Sequence, residues 1–371
     1  MFTTDTIRFP AALLAVCMFS TGCGADTQNQ AAQPESGKAV PATEPVSKNG
    51  LDNPEVIVFG GLDDALAFLQ GENWWGEEKR GEQLTVPHAL MTGISQNWRD
   101  GANKLPVAQK KEIFYRFMLP LIMHANQMVM ERRANLERAK AQLAKGQPLS
   151  ADQLAELQKG AVLMRVDGAA GLAALPPDSP DLVPIIDKLL YKLDIIPAGL
   201  ALGQAAYESG YGTSRFAVEG NALFGQWTYG GKGLKPEQQR KHLGDHRIAA
   251  FDWPFDSVRG YFINLDSHPA YEDFRRLRAQ LRAAGEPLTS LRLADGLIKY
   301  SERGQKYVDT LKSVIRVNHL DIADDAVFRD EPIRFLVGAG SPERAAEIRQ
   351  DIEKKRDSGE LQEIVTSMRL E

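Results

Sequence analysis

Residues 205–227 read AAYESGYGTSRFAVEGNALFGQW and set one acidic residue, Glu208, at the end of an apolar run, followed at once by glycines and aromatics. Pro197 suits the first turn of a helix that runs up to this point. Ala201, Ala205 and Glu208 are spaced i, i+4, i+7, so they share one helix face, and the alanines mark that face for close packing. Gly210 and Gly212 suit the exit from the helix, which places Glu208 in its last turn. Negative charge is disfavoured there by the helix dipole. Burial among Tyr207, Phe216 and Phe224 would act in the same direction, keeping the carboxyl protonated. A proton-holding carboxyl beside an accessible groove is what glycosidic bond cleavage requires. The structural alternative is a glutamate that caps its own chain or pairs with Arg215.

Working outward, Asp181 opens a helix with Pro184 in its first turn and Leu189, Leu190 and Leu193 behind it. Beyond Trp227 the texture changes. Trp227-Thr-Tyr229, a glycine-rich run and Arg247-Ile-Ala-Ala-Phe251 read as two arms of an irregular β-hairpin. Helical periodicity returns over residues 257–265, 274–284, 291–301 and 304–319, the last with Tyr307, Leu311, Val314 and Ile315 on one face. Upstream, residues 107–145 are helical in pattern, with a bend expected at Pro120. Ser150 with Gln153 forms a capping-box signature for a partner helix, so this region reads as a helical hairpin. Glu55-Val-Ile-Val-Phe59 reads as a short strand. Trp74 and Trp75 are better placed as packing residues than as a sugar-stacking surface. Residues 321–371 read as a charged, helical C-terminal extension.

The composition, 43% hydrophobic and 25% charged, is that of an ordinary globular protein. A formal net charge of -5 leaves no basic excess for a nucleic-acid backbone. Both cysteines, Cys17 and Cys23, fall in a leading segment with Arg8, a short apolar run and small residues, the pattern of a secretory signal. Its ending Ser20-Thr21-Gly22-Cys23 resembles a bacterial lipobox, which makes Cys23 a lipidation candidate; ordinary signal cleavage is the alternative. Residues 24–53 are polar and rich in Ala, Pro, Gln and Ser, the composition of a disordered tether. The expectation is a periplasmic protein anchored to the outer membrane.

The run Gln204-Ala-Ala-Tyr-Glu208-Ser-Gly-Tyr-Gly212-Thr-Ser214, followed by Asn221-Ala-Leu-Phe224-Gly225, resembles the glucosaminidases of glycoside hydrolase family 73. Its continuation through Arg215-Phe216-Ala217 and Gly225-Gln226-Trp227, with Leu105-Pro-Val107 upstream, is similar to the Bax group of bacterial proteins. The resemblance implies a mainly α (α+β) fold, with a lysozyme-like α-lobe and a small β-hairpin lobe across a glycan groove, preceded here by the helical hairpin. It implies cleavage of the β-1,4 bond after N-acetylglucosamine in peptidoglycan, with Glu208 as general acid and Tyr307, within Tyr300-Ser301…Tyr307-Val308, facing it. Asn221, Phe224, Gly225, Trp227 and Tyr300 are the implied substrate contacts. The family's second acid sits in the β-lobe, where Glu237 has the expected offset and Asp245 and Asp252 are alternatives. An inverting mechanism would hold two carboxyls ~6.5–9.5 Å apart around a water, whereas assistance from the substrate's own acetamido group would need no second carboxylate.

These readings divide the chain into a signal (1–23), a tether (24–53), an N-terminal helical region (54–180), a catalytic domain (181–320) and an extension (321–371). No cofactor is called for. His242 and His246 flank Asp245, but Gly244 argues against the continuous helix that would bring them onto one metal. Gly230-Gly-Lys-Gly233 lacks the spacing of a phosphate loop. Two alternatives stay open. A lytic transglycosylase also relies on one glutamate, and Leu223-Phe-Gly-Gln226 stands where such enzymes carry a related motif. A non-catalytic peptidoglycan-binding lipoprotein would need neither Glu208 nor Tyr307.

Overall fold

The computed structural model describes residues 54–359 except 73, 77–80, 95, 229–232 and 236–246. Cys23, Glu237, His242, Asp245 and His246 therefore lie outside the described residues. The N-terminal part comprises β1 (Glu55–Phe59), α1 (Leu62–Gly71), β2 (Thr85–Val86), β3 (Ala89–Met91), α2 (Gln96–Ala102), α3 (Val107–Ala144) and α4 (Ala151–Leu163). Next come α5 (Leu182–Lys192), α6 (Ala198–Ser209), α7 (Arg215–Gly220), β4 (Trp227–Thr228), β5 (Gly233–Leu234), β6 (Arg247–Ala249) and α8 (Pro254–Ser267). The chain continues through α9 (Glu272–Ala283), α10 (Ser290–Leu293), α11 (Gln305–Val317), β7 (Val327–Phe328), β8 (Arg334–Gly338) and α12 (Pro342–Ser358). The fold is mainly α with small sheets, as its sequence pattern predicts.

The helical hairpin is present as α3 and α4, and Ser150 with Gln153 closes the reciprocal capping box at the start of α4. Helix α3 continues through Pro120. Its buried residues include Phe114, Phe117, Met118, Leu121 and Ile122, and burying each such side chain is worth roughly 1.5–3 kcal/mol. Among the described residues no helix is long and apolar enough to cross a membrane. Trp74 and Trp75 are core residues, with the Trp75 ring 5.2 Å from that of Tyr115.

Residues 321–371 were expected to form a charged helical extension, and α12 has that character. The segment before it does not. Strand β8 runs between β1 and β3, parallel to both, with Glu55 and Ala89 in register with Arg334, and β7 pairs with β2. Ile333, Phe335 and Leu336 are buried, which is why this stretch joins the body instead of standing off it. Arg349 of α12 then donates to the Val58 carbonyl at 2.8 Å. The N-terminal helical region likewise includes three strands and shares one hydrophobic core with α5, α6, α8 and α11.

Residues 291–301, expected as one helix, are the short α10 followed by a 3-10 stretch. Gly296 abuts α9 there: a Cβ on it would lie 2.5 Å from Phe274 Cα. The expected hairpin is a three-stranded antiparallel sheet ordered β4-β6-β5.

Candidate active site

Helix α6 is held at both ends. The chain leading into it is tied by Asn126, whose Nδ2 donates to the Ile196 carbonyl at 2.8 Å and whose Oδ1 accepts from Ile196 N at 2.9 Å. Buried Arg278 donates to the Asp194 carbonyl at 2.9 Å. At the first turn, Asp324 accepts from Gly199 N at 3.0 Å, and also from the amide and hydroxyl of Ser290. A carboxyl at the positive end of a helix is well placed, and it joins α6 to α10. Small residues then permit close approach: a Cβ on Gly199 would fall 2.2 Å from the Leu320 carbonyl oxygen.

The far end terminates in the expected way. Gly210 adopts the left-handed conformation as C-cap, so Glu208 stands in the last turn. Ser209 Oγ donates to the Ala205 carbonyl and accepts from Gly212 N at 2.8 Å, which closes the turn. Tyr211 has φ +60° and packs edge-on against Phe114, while its carbonyl accepts from Trp98 Nε1 at 3.1 Å. The turn after the glutamate is thus seated on the N-terminal part of the chain.

Glu208 keeps a partly accessible side of its own. Tyr307, on α11 and fully buried, donates its hydroxyl to Glu208 Oε1 at 3.0 Å. That hydroxyl accepts from Gln204 Nε2 at 3.0 Å, and Gln204 Oε1 accepts from the Tyr261 hydroxyl at 2.6 Å. The other carboxyl oxygen, Oε2, lies over Gly225: a Cβ there would come within 3.3 Å of it. Gly225 also has φ +62°, a backbone conformation that favours glycine, and a side chain there would crowd the carboxyl.

Electrostatics favour a neutral acid. Burial pushes the Glu208 carboxyl from 4.5 up to about 7, opposed by the Tyr307 hydrogen bond and the positive charge of Arg303. Tyr300 and Tyr307 are held well above the usual phenol range by burial and by the nearby glutamate. A half-buried carboxyl that loses its proton near neutrality can deliver that proton to a leaving oxygen. Arg215, the partner in the structural alternative, pairs with Glu219 at 3.0 Å and donates to the Lys235 carbonyl. The aromatic surroundings also differ from expectation. Tyr207 is 40% exposed, and Phe216 packs with the small β4–β6 cluster.

The implied substrate contacts separate into two groups. Phe224 is 1% exposed and stacks on Tyr261 with centroids 4.1 Å apart, so its side chain lies beneath the site rather than facing a groove. Trp227, 3% exposed, belongs to the β-lobe core with Ala222 and Ile248. Neither ring is a sugar platform, because both are consumed in packing. Asn221, left-handed at φ 48°, donates to the Phe251 and Asp252 carbonyls at 3.1 Å and accepts from Ile94 N, fastening the loop before α8. Tyr300 stacks on Tyr307 at 5.5 Å and donates to the Phe224 carbonyl at 2.9 Å, linking the glycine loop to α11. Gly225 is the one of the five set directly against the acid.

Asp252 is exposed. Among the described residues Arg303 is the charged group acting on Glu208, and no group of three His, Cys, Asp or Glu is placed to hold a metal. Gln204, Tyr261 and Arg303 escape a reading of the motif. Gln204 had a signal, since it lies four residues before Glu208 on the same helix face.

Residues 183–320 match a family described as glucosaminidase, mannosyl-glycoprotein endo-beta-N-acetylglucosaminidase. The chain is 37% identical over 135 residues to protein Bax of Escherichia coli (strain K12), a match covering 36% of this chain and 47% of that protein. The chain thus spans about half the length of this curated relative. No solved structure matches. With Glu208 and its tyrosine partner inside the matched stretch, residues 183–320 carry a glucosaminidase-family domain, in a chain that is Bax-like over part of its length.

Proposed function

We propose that the protein is a peptidoglycan hydrolase that cleaves the β-1,4 bond after N-acetylglucosamine, with Glu208 as general acid. One observation carries the reading: a carboxyl with one oxygen satisfied by Tyr307, the other over Gly225, and a proton affinity raised to about 7. Glu208 protonates the departing glycosidic oxygen as the bond to the anomeric carbon breaks. Tyr307 stabilises the carboxylate left behind by keeping its hydrogen bond to Oε1. Glu237 is the proposed base that activates water on the opposite side, with the substrate's acetamido group as the alternative.

The reading of peptidoglycan as substrate draws on the motif resemblance and on the secretory pattern of the first residues. The family description names a glycoprotein glycan, which shares the N-acetylglucosamine unit. Mass spectrometry of digested peptidoglycan, beside a high-mannose glycoprotein, separates the outcomes. Fragments ending in reducing N-acetylglucosamine are expected from peptidoglycan. Anhydro-sugar ends would make the protein a lytic transglycosylase, and glycan retention without fragments a binding protein. Cleavage of the glycoprotein alone would overturn the substrate assignment. We also propose anchorage through Cys23: Cys23→Ser should move the protein from the membrane to the soluble fraction, and a wild-type protein already soluble would refute it.

A further inference from the structure

Glu208 belongs to a longer chain of hydrogen bonds than proton donation alone requires. Gln204 is fully buried, and its side-chain amide sits between two hydroxyls of α8 and α11. Among the described residues, the Tyr261 hydroxyl hydrogen-bonds with Gln204 only, and it is buried. It therefore donates to Gln204 Oε1. That choice turns Nε2 toward Tyr307, whose oxygen must accept. The Tyr307 proton is then left pointing at Glu208 Oε1. With the amide turned round, every bond would reverse: Tyr261 would accept and its own proton would go unshared. Tyr307 would point its proton at Gln204, and Glu208 would be left to donate through Oε1 into the protein interior. Leaving a buried hydroxyl proton unpaired costs about 1–3 kcal/mol, so the first polarity prevails.

We propose that Gln204 is a positioning residue: its buried amide keeps Tyr307 donating to Glu208 Oε1, so that the transferable proton resides on Oε2, the oxygen over Gly225. The assignment builds on Glu208 as general acid. A proton on Oε1 would be spent on Tyr307; one on Oε2 faces the glycine loop, where the absence of a side chain leaves room for the sugar oxygen. Three further groups bear on this carboxyl: Arg303, in the turn before α11, and Tyr271 and Tyr300, both of which feel the charge of Glu208. None of these hydrogen-bonds to the carboxyl, so the direction of the Tyr307 bond decides which oxygen is free.

The test compares wild type with Gln204→Met, which keeps the length but removes the polarity, and with Tyr261→Phe, which removes one oxygen and frees the amide to turn. The Glu208 carboxyl is titrated directly by carbon-13 NMR in full-length, glutamate-labelled protein, its resonance identified by its disappearance in Glu208→Gln. Loss of ordered donation from Tyr307 removes an influence that lowers this carboxyl's proton affinity. Its titration should therefore move upward by about half a unit to one unit in both variants. With peptidoglycan, kcat should fall about tenfold at unchanged KM, and the alkaline limb should follow the carboxyl upward. A loss confined to stability, with the titration and the alkaline limb in place, would overturn the proposal. Should Gln204→Met not fold, Tyr261→Phe decides alone. Because the titration needs no turnover, it judges the relay even if Glu208→Gln continues to cleave glycan, a result that would refute Glu208 as the general acid instead.

Discussion

Replacing Glu208 by glutamine should stabilise the protein at alkaline pH while abolishing its activity. The carboxyl has an ordinary value of 4.5 and burial raises it to about 7 in the folded protein. Each unit of displacement corresponds to about 1.36 kcal/mol, so ionised Glu208 costs the fold about 3 kcal/mol, nearer 2 once its partly accessible side is allowed for. The folded state binds this proton more tightly than the unfolded chain. The stabilising contribution is therefore complete below pH 4.5, declines as pH climbs to 7, and is gone above that. Glutamine keeps the shape and an oxygen to accept from Tyr307 but has no proton to lose. Chemical denaturation of both proteins at several pH values from 4 to 9 gives the difference directly, and Asp266 and Asp324, also raised to about 6 by burial, cancel because both proteins contain them. The variant should gain about 2–3 kcal/mol over wild type between the acid and alkaline ends of the series. Peptidoglycan cleavage should fall by at least ~10²–10⁴-fold. Parallel stability curves across the range would refute a buried, proton-holding glutamate, whatever the activity did.

Gly225→Ala puts a methyl group 3.3 Å from Glu208 Oε2 at a left-handed position, and should depress kcat far more than thermal stability; equal losses in both would contradict the site. Asp324→Ala strips the partners of the Gly199 and Ser290 amides and should cost about 2–4 kcal/mol in denaturation experiments, with activity retained at low temperature. Glu237→Gln should lower turnover while leaving glycan affinity intact, and near-normal turnover would pass the role to Asp245, Asp252 or the acetamido group.

The local features of the site are legible in the sequence. Pro197, the small residues of α6 and Gly210 announce where the helix begins and ends, and burial accounts for the raised carboxyl. Tyr307 came from the family motif rather than from periodicity, and it does face the acid. What could not be read is which side of a surface an aromatic lies on. Phe224 and Trp227 carry the same letters whether they floor a groove or sit beneath it, and burial depends on partners such as Tyr261 and Ile248 that are distant or unremarkable in sequence. Strand β8 escaped for a similar reason. Five residues between charged stretches are a weak local signal, and the partners that make Arg334–Gly338 a central strand lie near the opposite end of the chain.

That strand makes the order of synthesis matter. Residue 334 leaves the ribosome long after residues 55 and 89, a delay on the order of tens of seconds at ordinary rates of synthesis. Until then β1 and β3 have nothing between them. Asp324 also emerges late, so the helix that presents Glu208 waits for its anchor. A chain cut short near residue 320 would carry every element of the glucosaminidase motif yet lack the clasp at the start of α6 and the middle of the sheet against which α12 rests. An incomplete copy is thereby left unfinished, because parallel pairing across so many residues has to wait for the last part of the chain.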